Sequence, residues 1–124
     1  MAYQLLSASE AMRLAEASGD WRVPFFQFVD DFRRGLPTNS SLSLVEVPPS
    51  SNDEKLLALL KAMVNDLCYD AGYELPEWAA EIHWLPKPWF VAECKSLYAI
   101  AIAESPLFFR RNNIFVTKDF LKRC

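Results

Sequence analysis

The stretch NDEKLLALLKAMVNDLC, residues 52–68, constrains this chain more than any other. Asn52 or Asp53 offers a side-chain acceptor for the free N–H groups of a helix start. Leu56, Leu60, Met63 and Leu67, with Leu57, Val64 and Cys68, then recur at intervals of three and four, while Lys55, Lys61, Asn65 and Asp66 fall on the other side. An apolar stripe this wide predicts a central helix on which other elements pack. The same period runs through most of the chain and long alternating runs are scarce. The expected fold is all-α, a compact bundle of about five to six helices with one long Pro/Ser-rich loop. At 124 residues the chain matches the usual size of one domain, so residues 1–124 read as a single helical domain.

Within it, residues 7–35 read as a helical hairpin. Ser7 or Ser9 starts a first helix that ends at Gly19. Asp20 opens a second, in which Phe25, Phe28, Val29 and Phe32 share a face, Arg33 and Arg34 oppose the negative end of the helix dipole, and Gly35 stops it. Residues 36–52 form a Pro/Ser/Asn-rich connector whose SLSLVEV alternation predicts an extended segment. Residues 53–124 form the C-terminal helical part. Pro76 opens a short helix to Ile82, and Pro86 and Pro88 end it. A further helix is expected over Ala92–Glu104 with Leu97, Ile100 and Cys94 inward, a turn of helix begins at Ser105-Pro106, and a last short helix, after Thr117, runs to Leu121.

Charge is unevenly placed. Residues 1–50 carry a balance of −2, residues 51–100 one of −4, and residues 101–124 one of +3. A basic end on an acidic body suits an acidic protein partner better than nucleic acid, which calls for a larger footprint. No run approaches the ~20 apolar residues of a membrane span, and the N-terminus lacks the basic start and apolar middle of a signal peptide. The expected location is cytoplasmic, without membrane attachment. Cys68, Cys94 and Cys124 are odd in number and widely spaced, which suits reduced thiols.

Catalytic, cofactor and metal signatures are weak. The only glycines, Gly19, Gly35 and Gly72, make no phosphate loop. His83 is the single imidazole, and Glu77 and Glu81, one helical turn apart, are its only local acidic company, so no catalytic residue, metal ligand or cofactor is assigned and the chain does not read as an enzyme. More informative is the aromatic corner of Trp78, Trp84, Trp89 and Phe90, stiffened by Pro76, Pro86 and Pro88. Rigid rings of this kind build core corners and interface hot spots alike.

The segment SPLFFRRNNIFV, residues 105–116, adds Arg110 and Arg111, held outward between Phe108 or Phe109 on one side and Ile114 and Phe115 on the other. Arginines on a fixed edge recognise carboxylates. The first expectation is pairing with the chain's own acidic middle, and the alternative is an acidic partner. The candidate partner-binding residues are Arg110, Arg111, Trp84, Trp89, Lys118 and Lys122.

Pro76, Trp78, then Leu85, Pro88, Trp89, Phe90, then Pro106, Phe109, Arg110, Arg111, Asn113, Ile114, Phe115 and Val116 follow the order P-x-W, L-x-x-P-W-F and P-x-x-F-R-R-x-N-I-F-V. Over about residues 53–123 this resembles an uncharacterised bacterial family of helical proteins, some encoded beside a nucleotidyltransferase-like toxin. Asn112 replaces a third arginine of that pattern. The resemblance implies an antitoxin or partner subunit bound to a toxin-like neighbour and supplies no catalytic residue; a second copy of the chain is a separate candidate partner. The alternative is a small nucleic-acid-binding regulator using Arg110, Arg111, Lys118, Lys122 and Arg123.

Overall fold

The computed structural model describes residues 4–92 and 95–121. The chain is predominantly helical, as its period predicts. Helix α1 (Ala8–Ser18) begins where the Ser7 hydroxyl accepts from the Glu10 N–H, and ends at Gly19, whose φ of 75° is a left-handed turn. Helix α2 (Arg22–Arg34) starts beside Asp20, whose carboxylate accepts from the Arg22 N–H at 3.0 Å. The two helices pack together through Ala8, Ala11, Met12 and Ala15 on one and Phe25, Phe28, Val29 and Phe32 on the other. Asp31 is buried on α2. Its carboxylate accepts from the Leu6 N–H at 2.8 Å and from the Gln27 amide at 3.0 Å, which fastens the chain before α1 to α2.

The SLSL part of the connector is helical rather than extended. A 3-10 turn at Leu36–Thr38 leads to α3 (Ser41–Leu44). The Ser41 hydroxyl donates to the Phe32 carbonyl, and Leu44 and Val45 turn into the core, so tertiary packing overrides the local alternation. Gly35 has an ordinary φ of −81°; its small size matters instead because a Cβ there would meet Ser41 N and Oγ at 3.0 Å and Leu5 at 3.2 Å.

Helix α4 (Glu54–Ala71) is the central element. Asp53 caps it, accepting from the Leu56 N–H at 3.2 Å, and Gly72, at φ 75°, closes it. Its buried surface is wider than the sequence stripe. Asn65, expected on the polar side, is buried and donates to the Ala79 carbonyl at 2.7 Å, and Lys61, nearly buried, lies 3.9 Å from Glu81. The cause is the four-residue helix α5 (Glu77–Ala80), which covers that side. Burial also pushes the Cys68 thiol up to about 11, so it stays protonated near neutral pH and is a poor nucleophile. Iodoacetamide at mildly alkaline pH should leave Cys68 unmodified in the folded chain and alkylate it in urea, as read by peptide mass. Labelling of Cys68 at equal rates in both states would contradict its burial.

Beyond α5, two short strands pair in parallel: β1 (Trp89–Phe90) and β2 (Ile114–Phe115), with Trp89 opposite Ile114 and Phe90 opposite Phe115. Between them lie a 3-10 turn at Lys95–Leu97, α6 (Tyr98–Glu104) and α7 (Leu107–Arg110). The helix expected from Ala92 starts only at Tyr98, after the 3-10 turn, and Cys94 lies outside the described residues. Leu97 and Ile100, expected inward, are exposed, and Ala101 is the buried residue of α6. Lys118–Leu121 is a turn rather than a last helix, with Phe120 N–H bonded to the Thr117 carbonyl at 3.1 Å and Leu121 buried. The core runs as one cluster from α1, α2 and α4 to Phe109, Ile114, Val116 and Leu121. Among the described residues no helix is long and apolar enough to cross a membrane.

Candidate interaction surface

Residues 105–116 are held by side-chain amides and a hydroxyl. Asn112 donates through Nδ2 to the Ala58 carbonyl of α4 at 3.1 Å and accepts through Oδ1 from the His83 N–H at 3.0 Å, while its own carbonyl accepts from the Leu85 N–H. Asn113, left-handed at φ 64°, donates to the Leu85 carbonyl at 2.8 Å and accepts at its own carbonyl from Trp89 N–H. Asparagine is one of the few side chains that tolerates that conformation. The Ser105 hydroxyl donates to the Ile114 carbonyl and accepts from the Val116 N–H. These three buried polar residues satisfy backbone groups that a two-residue ladder leaves over. Phe109, fully buried, is the apolar pin of the segment.

Sequence reasoning missed Asn112 and Asn113 as structural residues; an adjacent asparagine pair between FRR and IFV was the available signal.

The candidate partner-binding residues separate. Arg110 is exposed and donates through Nη2 to the Ile102 carbonyl at 2.6 Å, which places it at the edge of α6. Arg111 is half-buried with its guanidinium 5.0 Å from the Phe108 ring centroid, and its Nε and Nη2 have no hydrogen-bond partner. Neither pairs with a carboxylate among the described residues, so the expected pairing with the acidic middle of the chain is not formed. Replacing both with Ala should therefore cost about 1 kcal/mol or less, because no buried charge is stranded. A thermal melt checks this, and a loss of several kcal/mol would reveal a buried ionic role.

Lys118 is exposed; its backbone N–H donates to the Glu104 carboxylate at 3.3 Å. Lys122 and Arg123 lie outside the described residues. The aromatic corner divides as well. Trp78 donates to the Val45 carbonyl at 2.9 Å, and Trp89 packs edge-on against Trp21 at 6.0 Å, with Lys55 over its ring. Trp84 alone faces outward, 61% exposed. Of the residues weighed for catalysis, Glu81 faces Lys61 and His83 pairs with Glu54, so the two are drawn to different partners. Among the described residues no group of three His, Cys, Asp or Glu could hold a metal ion.

Helix α6 has the least cover for its composition. Its sequence, YAIAIAE, is apolar but for its last residue, yet none of its side chains joins the main core cluster. Ile100 and Ile102 are 46% and 51% exposed, and Leu97 and Leu107 flank them with much of their surface also in water. Ile100 and Ile102 leave α6 on opposite flanks of the buried Ala101, so apolar surface is exposed around most of the helix, and exposure on this scale, unlike that of scattered single residues, marks a contact surface. Arg110 borders it through the Ile102 carbonyl, giving an apolar face with a cation at its edge. No family model, curated protein or solved structure matches this chain.

Proposed function

We propose that this is a non-catalytic protein-protein interaction protein of bacterial type, the antitoxin or partner subunit of a two-component, toxin-antitoxin-like module acting in the cytoplasm. The observation that carries the reading is α6, an apolar helix left outside the core with Ile100 and Ile102 in water. Burying such a face on a partner recovers about 25 cal/mol for each Å² of apolar surface removed from water, less the cost of association. Arg110 at its edge selects for a partner carboxylate at the rim of the contact. Arg111 serves the fold on the side of Phe108, so the basic edge narrows to Arg110 and Lys118 among the described residues, a small footprint for nucleic acid.

The test is recovery of a tagged copy expressed at native level. A stoichiometric second protein, encoded by the neighbouring reading frame, is the expected result. Recovery of the chain alone, as a monomer, would contradict an obligate partner.

A further inference from the structure

Behind α6 lies a partly enclosed cavity of about 250 Å³. Six aromatic rings line it, in two sets. On one side Phe90 is stacked on Tyr98 at 4.0 Å and on Phe115 at 5.1 Å; on the other Trp21, Phe26 and Phe120 meet at 5.4–6.5 Å. Arg22 also lines the space, its guanidinium 4.8 Å from the Trp21 ring centroid and exposed, and no carboxylate among the described residues pairs with it. Tyr98 and Thr117 also line it, and their hydroxyls donate to no protein group among the described residues. Leu97 lines the cavity and also flanks the exposed side of α6, but the rings and Arg22 do not belong to that surface, and the inference stands apart from the partner reading.

We propose that this cavity is a small-molecule site for a planar, two-ring aromatic carboxylate. Apolar cavities of roughly 150 Å³ stay dry and admit a benzene ring, so a space of about 250 Å³ has room for a second fused ring. Ring-lined walls favour a flat aromatic over a flexible chain, because stacked and edge-on contacts add to area burial and little internal freedom is lost. The cation at the rim selects the anionic ligand over a cationic one, which six ring faces alone would attract. The free hydroxyls supply donors to the second carboxylate oxygen.

The probe is 2-naphthoate, titrated against the full chain by calorimetry and tryptophan fluorescence, beside 2-naphthamide and octanoate. Saturable one-to-one binding of 2-naphthoate is expected, with the neutral amide about fivefold weaker, the scale of one solvent-facing charge contact. Arg22→Gln, on an exposed side chain, should abolish that preference while leaving amide binding unchanged. Ala101→Leu, which fills the cavity from α6, should weaken both ring compounds together. If that variant does not fold, the Arg22→Gln comparison decides alone. No saturable binding at millimolar probe, octanoate binding as tightly as 2-naphthoate, or an Arg22→Gln protein that keeps the preference would each overturn the proposal.

Discussion

Phe109→Ala should destabilise the protein by about 3–5 kcal/mol, the range for deleting a fully buried ring. Phe109 has no exposed surface, meets Phe120 edge-on at 5.6 Å and closes α7 onto α4. Its removal withdraws the ring from the core and leaves a cavity between elements fixed on three sides. The neighbouring Phe108→Ala is the control. Phe108 is half-buried, packed against the exposed Tyr69 and under Arg111, so it should cost no more than about 1.5 kcal/mol. Urea unfolding with an unchanged slope reads both. Equal losses would mean that the segment is not pinned by Phe109.

Asn112→Ala should cost about 1–3 kcal/mol for a different reason. The change strands the half-buried His83 N–H, whose loss of a partner costs about 1–3 kcal/mol, and removes the second bond of the Ala58 carbonyl, which keeps its helical bond within α4. The loss should appear first as local opening. Hydrogen exchange at His83 and Leu85 N–H should quicken more than exchange in α1, because the amide joins the C-terminal segment to the 83–85 loop. A uniform rise in exchange across the chain would instead point to a merely global effect. Against a typical total stability of about 5–15 kcal/mol, Phe109→Ala and Asn112→Ala together should leave little folded protein.

The elements that local chemistry dictates were legible. Ser7 and Gly19 bound α1, Asp53 caps α4, Pro76 and Pro106 open α5 and α7, and the phenylalanine face of α2 is buried as its spacing requires. What was not legible depends on distant neighbours. Lys61 and Asn65 look solvated until α5 covers them, and SLSLVEV looks extended until Phe32 and the core capture Ser41 and Leu44. Leu97 and Ile100 look inward because apolar helices are usually buried; α6 breaks that rule, and the breach is the surface on which the functional reading rests. Of the candidate surface, Arg110 and Trp84 were found as outward residues, whereas Arg111 and Trp89 pack within the chain. The roles of Asn112 and Asn113 emerge only when residues 83–90 and 105–116 meet.

On the proposed reading, α6 and Arg110 form a surface dispensable for folding and required for a partner. The most direct test compares the wild-type chain with Ile100→Ser/Ile102→Ser/Arg110→Ala in two assays run together, thermal melting and recovery of the neighbouring-frame protein at native expression level. Exposed substitutions usually move stability by no more than about 0.5 kcal/mol each, so the two melts should nearly coincide while the partner is lost from the variant. A variant that melts far lower, or that retains the partner as fully as the wild type, would contradict the claim.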